Sequence, residues 1–121
     1  MKLAFIGTGK IIADALFAIE PIKEIEKTAI FARPHSKEKA EAFAKQYNIA
    51  EVYTDYEKLL TETAADTVYI GLINSAHYSY AKQALLHGKN VILEKPFTGF
   101  YNEAQELSRL QKRINYLFLR L

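Results

Sequence analysis

The sequence predicts an α/β fold, a doubly wound parallel sheet of about six strands with helices on both faces. Apolar runs of strand length alternate with segments of helical spacing along all 121 residues, which is the pattern of βαβ units with right-handed crossovers. The first run ends in the glycine pair Gly7 and Gly9, immediately before a helix-compatible stretch. Ligands of such sheets bind beyond the carboxyl ends of the strands, where the strand order reverses. We therefore expect one domain with its site at that end.

Each predicted strand is an apolar run bounded by glycine, proline or polar residues. Each predicted helix has an apolar stripe on one side and polar residues on the other. Ser36 is a candidate N-cap, and Thr54 with Glu57 has the spacing of a capping box. The predicted strands cover residues 3–6, 28–32, 51–53, 67–72, 90–93 and 116–119, and the predicted helices begin near residues 10, 36, 54, 74 and 102.

The first helix, which starts near Lys10, departs from the usual glycine fingerprint at one position. Ile12 occupies the third glycine position, where a small residue normally lets helix and strand pack closely. We expect either that the helix stands further from the strand or that Ala13 faces the sheet instead. The predicted inner stripe of this helix consists of Ile11, Ala15, Leu16 and Ile19.

Charge and composition exclude several classes of function. The chain carries 16 basic and 14 acidic side chains, a balance that gives no electrostatic case for nucleic acid or an anionic membrane. It has no cysteine, which excludes disulfides, thiol catalysis and cysteine-ligated zinc. No set of His, Asp and Glu has metal-ligand spacing, and no nucleophile and base stand together, so we predict no metal and no covalent catalysis. With neither a signal peptide nor a membrane span in the sequence, we expect a cytoplasmic protein.

The turn formed by Gly7, Thr8 and Gly9 is the strongest candidate site. Because glycine has no Cβ, the backbone of this turn can approach an anion closely. The first N–H groups of the helix, near Lys10 and Ile11, point at the same place, and the helix dipole favours negative charge there. The pattern predicts a cradle for the pyrophosphate of a dinucleotide. An ordinary strand-to-helix turn is the alternative.

Four stretches together resemble a known family. They are Phe5–Ile11, Asp66–Ile70, Asn74 with His77, and Gly88–Thr98, the last of which holds Glu-Lys-Pro at the end of the fifth predicted strand. Over essentially its whole length the chain resembles the N-terminal domain of the glucose-fructose oxidoreductase, inositol dehydrogenase and rhizopine-catabolism family (Gfo/Idh/MocA) of NAD(P)-dependent oxidoreductases. Glu-Lys-Pro together with the glycine turn is a more specific signal than either part alone.

Two features depart from the family pattern. Family members usually carry a proline where this chain has Ile73, so we expect a less rigid loop there. The family also has a second α/β domain that supplies the substrate pocket, and residues 1–121 correspond to the cofactor domain alone. We therefore expect a truncated gene product, a fragment or a natural single domain, not active alone.

The resemblance also implies roles for residues at the later strand ends. Lys95 matches the lysine that the family uses in catalysis beside the nicotinamide, and Glu94 would orient it or contact cofactor hydroxyls. The alternative for Lys95 is a structural role in the turn that follows it or in an ion pair with Glu94. For His77, capping or packing in the first turn of a helix is the alternative to a cofactor contact. The other assigned cofactor contacts here are Leu72 and Asn74.

Cofactor preference depends on the loop after the second predicted strand. A preference for NAD normally comes from an Asp or Glu about 20 residues beyond the fingerprint, which binds the ribose 2′-OH. No acidic residue lies between residues 28 and 37; the loop instead offers Arg33, His35, Ser36 and Lys37. These donors suit a 2′-phosphate, so we predict NADP as the preferred cofactor, with NAD possible. A solvated loop that accepts both cofactors is the alternative.

The favoured function is that of the NAD(P)-binding domain of an oxidoreductase. The enzyme would transfer hydride between nicotinamide and a sugar, polyol or related carbonyl substrate. The rival is a noncatalytic module that binds or senses the dinucleotide. Residues Tyr116–Leu121 are rich in large apolar side chains, and we expect them to form a homo-oligomer contact.

Overall fold

The computed structural model of the chain describes residues 1–72 and 74–93, with the backbone alone at 74–77 and 93. Within these residues five parallel strands form one sheet in the order β3-β2-β1-β4-β5. The strands are β1 (Lys2–Ile6), β2 (Glu26–Phe31), β3 (Glu51–Tyr53), β4 (Thr67–Ile70) and β5 (Asn90–Leu93). The helices are α1 (Lys10–Ile19), α2 (Lys37–Tyr47), α3 (Tyr56–Glu62) and α4 (Asn74–Leu86), and a 3₁₀ turn at Pro34–Ser36 precedes α2.

This order confirms the predicted doubly wound sheet, because β1 lies between β2 and β4 and the chain winds outward from it in both directions. The strand order therefore reverses beside β1, and the crevice that such a reversal creates lies above the carboxyl ends of β1 and β4. The sixth predicted strand and the helix predicted from residue 102 lie outside the described residues.

Helices cover both faces of the sheet, as the sequence predicts. Along β1 the side chains alternate between two buried clusters. Leu3 and Phe5 belong to the cluster that contains α1 and α2 residues, whereas Ala4 and Ile6 belong to the one that contains α3 and α4 residues. A strand that is buried on both faces needs a continuous apolar run, which is what β1 has.

The inner stripe of α1 differs from the prediction by one position. Ile11 is 40% exposed, whereas Ile12 is fully buried together with Ala15 and Leu16. The prediction of Ile11 as a core residue is wrong. Of the two alternatives for the fingerprint position, the one in which Ala13 faces the sheet is wrong as well, since Ala13 is only partly buried and belongs to neither core cluster. The true stripe of Ile12, Ala15, Leu16 and Ile19 follows the i, i+3, i+4, i+7 spacing of a helix face.

Of the two predicted helix caps, one is confirmed in position and the other is wrong. Ser36 is the N-cap of α2 by position, but its side chain makes no capping hydrogen bond. The capping box of Thr54 and Glu57 is wrong, because α3 begins one residue later. Its N-cap is Asp55, whose carboxylate accepts a hydrogen bond from the Lys58 N–H at 3.1 Å.

An aromatic cluster fixes the carboxyl end of β2. The ring of Phe31, the last residue of β2, lies 5.5 Å from that of Tyr56 and 5.8 Å from that of Tyr80. The Tyr56 hydroxyl donates to the Tyr80 carbonyl at 2.7 Å, and burial raises the pKa of Tyr56 well above its ordinary value. These contacts connect α3 and α4 to the strand end that carries the candidate cofactor loop.

In the part of the chain that the structure describes, every helix is too short or too polar to cross a membrane.

Candidate functional site

A cleft of about 200 Å³ opens at the carboxyl ends of β1, β2 and β4. It occupies the position where the strand order reverses, which is where doubly wound sheets bind their ligands. The described residues that line it are Gly7, Thr8, Gly9, Ala32, Arg33, His35, Ser36, Gly71 and Leu72. The glycine turn and the loop after β2, two separate predictions from the sequence, thus meet in one cleft.

Gly7 is required by the fold itself. Its φ is +120°, in the left-handed region that favours glycine. Its N–H donates to the Phe31 carbonyl at 2.9 Å, and a Cβ at this position would lie 2.9 Å from the Gly71 carbonyl oxygen and 3.2 Å from Leu72 Cδ2. Gly7 therefore holds the turn tightly between the ends of β2 and β4.

Gly9 is not required by the fold in this way. It is the N-cap of α1, with φ −83° and ψ −169°, which is extended backbone that any residue can adopt. A Cβ at Gly9 would meet no atom within 4 Å. The open space in front of this residue, at the amino end of a ten-residue helix, is what a closely approaching anion needs.

The loop after β2 presents cationic and hydroxyl groups to the other end of the cleft. Arg33 and His35 are exposed and Ser36 is half-buried. The Ala32 N–H donates to the Tyr53 carbonyl at 3.0 Å, and the Ser36 N–H donates to the Arg33 carbonyl at 2.8 Å. The first bond fixes the start of the loop against β3, and the second closes the turn within the loop. None of the described lining residues is acidic.

Some predicted contacts lie beside the cleft and do not line it. The Lys10 side chain is 86% exposed and forms an ion pair of 4.0 Å with Asp14. Ile11, in the first turn of α1, is exposed, and Lys37, the first residue of α2, lies just beyond the cleft wall. None of these three residues is among the described residues that line the cleft.

Four assigned residues fall where side chains are not described. The backbone of Asn74 and His77 lies in the first turn of α4, and their side chains lie outside the described residues. Glu94 and Lys95 also lie outside them, directly after the last described strand, β5. Because β5 is parallel to β4 and pairs with it, the chain leaves β5 at the same end of the sheet that holds the cleft.

Two lining residues were not assigned to the site from the sequence, Ala32 and Gly71. Ala32 directly follows β2, and Gly71 follows β4 in the same way. The available signal was their position at strand ends, since parallel strands bring their carboxyl ends together. Neither has a side chain that suggests chemistry, which is why residue type alone did not identify them.

A larger cavity of about 500 Å³ lies beside β3, the strand at one edge of the described sheet. Its lining carries three carboxylates, those of Glu51, Asp55 and Glu62, against the one ammonium group of Lys58. The net negative charge would repel an anionic ligand. Glu51 Oε1 accepts hydrogen bonds from the hydroxyls of Thr63, at 2.7 Å, and Tyr53, at 3.3 Å. Burial and the nearby Glu51 charge raise the pKa of Tyr53. Volume favours this cavity, but its charge excludes it as a phosphate site.

Within residues 1–72 and 74–93, no group of three or more His, Asp or Glu side chains is placed to hold a metal ion.

Comparison with known proteins agrees with this geometry. Trans-1,2-dihydrobenzene-1,2-diol dehydrogenase of Xenopus tropicalis is 28% identical over 118 residues, 98% of this chain and 36% of that protein. The scyllo-inositol 2-dehydrogenase (NADP(+)) of Bacillus subtilis (strain 168) is 33% identical over 107 residues, 88% of this chain and 32% of that protein. A 3-ketoreductase from Actinomadura kijaniata, solved in complex with TDP-benzene and NADP, superposes with a TM-score of 0.90 at 29% identity, over 99% of this chain and 37% of the other.

The chain thus spans about a third of the length of these relatives. Residues 1–119 match the profile of the GFO_IDH_MocA oxidoreductase family, described by its NAD-binding Rossmann fold. The resemblance noted in the sequence is confirmed. This chain belongs to that oxidoreductase family and forms its NAD(P)-binding Rossmann domain.

Proposed function

We propose that this domain binds NADP(H) in preference to NAD(H) and serves an oxidoreductase that acts on a sugar, polyol or related carbonyl substrate. The observation that carries the proposal is the shared cleft, in which the glycine turn and the loop of Arg33, His35 and Ser36 face the same space. The pyrophosphate would lie against Gly9 and the first turn of α1. The adenosine ribose would then lie towards the end of β2.

The preference for NADP follows from the charge of the residues at the end of β2, where we place the adenosine ribose. A domain that selects NAD places a carboxylate there to accept hydrogen bonds from the ribose 2′-OH, and no described lining residue is acidic. Arg33 and the hydroxyl of Ser36 suit a 2′-phosphate, which arginine can bind through two parallel hydrogen bonds. Two of the relatives support this choice, since one is described as NADP(+)-dependent and the other was solved with NADP.

The substrate class and the chemistry rest on the family and on the names of the relatives, which act on a diol, an inositol and a ketone. When bound, the nicotinamide would accept a hydride from the substrate or donate one to it. We assign to Lys95 the transfer of the proton that the substrate hydroxyl loses or gains, because a lysine beside a cationic ring is a suitable proton carrier. Glu94 would orient that lysine, and Asn74 and His77 would contact the cofactor from α4.

The cofactor preference is tested by titrating NADPH and NADH separately into wild type, Arg33→Ala and Lys37→Ala. We expect wild type to prefer NADPH and Arg33→Ala to bind NADPH about tenfold more weakly. This is the smallest effect expected from the loss of a hydrogen bond to a charged group, because Arg33 is exposed and solvent weakens the interaction. The NADH affinity of this variant should stay the same. Lys37→Ala is the matched control, since it removes a cation that does not line the cleft. Equal affinities in wild type, or an undiminished preference in Arg33→Ala, would rule out this role for the arginine.

The hydride-transfer role is tested with a panel of polyols and NADP. Turnover that is lost in Lys95→Ala, with NADPH affinity unchanged, would reject the alternative of a noncatalytic binding module. Tight NADPH binding without turnover is expected both from a cofactor domain that is not active alone and from that alternative, so turnover is the result that separates the two.

A further inference from the structure

The third position of the glycine fingerprint holds a buried isoleucine, and the structure shows how the fold accommodates it. A small residue normally stands there so that the helix can pack closely on the sheet. Ile12 has no exposed surface, so its side chain must occupy space that some neighbouring residue leaves free.

Gly71, at the end of β4, leaves that space. A Cβ on Gly71 would lie 2.6 Å from Ile12 Cδ1 and 2.8 Å from Ile12 Cγ1, far closer than the roughly 3.5–4.0 Å at which carbon atoms pack. It would also lie 3.3 Å from Ile11 Cγ2. Gly71 is not among the glycines with positive φ, so it is the contact with Ile12 that excludes a side chain here.

The same glycine also contacts the phosphate-binding turn. The Gly71 N–H donates to the Ile6 carbonyl at 2.9 Å, and its own carbonyl oxygen is the atom that a Cβ on Gly7 would approach to 2.9 Å. The glycine turn, the end of β4 and the first turn of α1 are therefore packed as one unit. Ile12 cannot swing away, because Ala15 and Leu16 beside it are also buried and interiors are close-packed.

From these contacts we infer that Ile12 and Gly71 are a positioning pair, which sets the distance between the first turn of α1 and the end of β4 and thereby places the N–H groups that face the dinucleotide pyrophosphate. The inference rests on the dinucleotide site described above. Moving the small residue from the helix to the strand keeps the close approach that the fingerprint normally provides. Neither side chain needs to touch the cofactor.

The pair is tested by enlarging Gly71 and then shortening Ile12. We expect Gly71→Ala to lower NADPH affinity about tenfold, the equivalent of one weakened charged hydrogen bond, because the added methyl group pushes α1 away from β4. The double variant Ile12→Ala/Gly71→Ala should recover most of that affinity. Gly9→Ala, which obstructs the pyrophosphate directly, should not be rescued by Ile12→Ala and is the matched control. In the ligand-free proteins, Gly71→Ala should lower the melting midpoint of wild type but not that of Ile12→Ala, whose own melting midpoint is lowered by the loss of a buried side chain.

Three results would overturn the positioning role. The first is a folded Gly71→Ala that binds NADPH as wild type does, and the second is a loss that Ile12→Ala leaves unchanged. The third result applies if Gly71→Ala does not fold, in which case the double variant is compared with Ile12→Ala. A double variant that binds NADPH ten times more weakly than Ile12→Ala would overturn the role. Failure of wild type to bind either NADPH or NADH would contradict the proposed function and the positioning role together.

Discussion

Replacing Gly9 with alanine should separate the two reasons for which this turn contains glycine. The backbone at Gly9 is extended and a Cβ there would meet no atom within 4 Å. The variant should therefore fold as wild type does. The methyl group would instead enter the open space in front of α1, where we place the pyrophosphate, so the loss should be one of binding.

The expected magnitudes follow from two sets of terms. Alanine is a poorer N-cap than glycine, by roughly 0.5–1 kcal/mol, but it reduces the freedom of the unfolded chain, which offsets this by about 0.4–1 kcal/mol. The free energy of unfolding should thus change by less than about 0.5 kcal/mol. Loss of one charge-assisted hydrogen bond to the pyrophosphate costs about 1.5–3 kcal/mol, or roughly 10- to 150-fold in affinity.

Gly7→Ala is the matched contrast within the same turn. An alanine at position 7 would have to adopt a φ of +120°, which costs about 1–3 kcal/mol of backbone strain. Its Cβ would also lie 2.9 Å from the Gly71 carbonyl oxygen, and this close contact adds to the cost. We expect clear destabilisation in urea unfolding. Fluorescence titration with NADPH on the folded fraction completes the comparison.

The reasoning would be refuted by either of two results. One is a Gly9→Ala protein destabilised as strongly as Gly7→Ala, since this would show that the fold needs both glycines. The other is a Gly9→Ala protein that binds NADPH with wild-type affinity, since this would place the pyrophosphate elsewhere.

Two further predictions concern stability. Asp55→Ala should lower the free energy of unfolding by about 1 kcal/mol, because it removes the bond to the Lys58 N–H, whereas Thr54→Ala should cost clearly less; equal losses in urea unfolding would contradict the assignment of the cap. The pKa of Tyr56 is raised in the folded state, so the neutral hydroxyl stabilises the fold. This contribution to the free energy of unfolding is complete below about pH 10, the ordinary pKa of tyrosine, and is lost as pH rises above that value. Tyr56→Phe should lose about 1 kcal/mol at pH 7 with the hydrogen bond to the Tyr80 carbonyl, and its stability should fall less steeply than that of wild type above pH 10; parallel alkaline unfolding curves would disprove the role of this hydroxyl.

The strands were predictable because local pattern determines them. Continuous apolar runs mark strands buried on both faces, and their alternation with helical segments implies the parallel order that the structure shows. The phase of α1 was predictable in the same way, but the fingerprint obscured it. The i, i+3, i+4, i+7 spacing with Ala15, Leu16 and Ile19 selects Ile12 and not Ile11 as the buried residue. The third fingerprint position normally holds a small residue, and this expectation argued against a buried Ile12.

The site was predictable where the residue type itself suggests a binding role. Gly7, Gly9 and Arg33 were identified from the sequence because a glycine turn and a cationic loop each suggest an anion. Gly71 was not assigned, because a glycine is needed there only on account of Ile12, a residue far away in the sequence. The two residues come into contact only after β4 has paired with β1, and no local sequence pattern reports that contact.

The glycine turn and the cationic loop lie at different places in the cleft, so substitutions in them should affect the binding of NADPH and NADH differently. The glycine turn follows β1 and the cationic loop follows β2, and these are adjacent strands. Both cofactors carry the pyrophosphate, but only NADP carries the 2′-phosphate. Gly9→Ala should therefore weaken NADPH and NADH by the same factor, whereas Arg33→Ala should weaken NADPH alone, and the double variant should show the product of the two factors, since the groups share no partner. A Gly9→Ala variant that changes the ratio of the two affinities would show that turn and loop do not act independently.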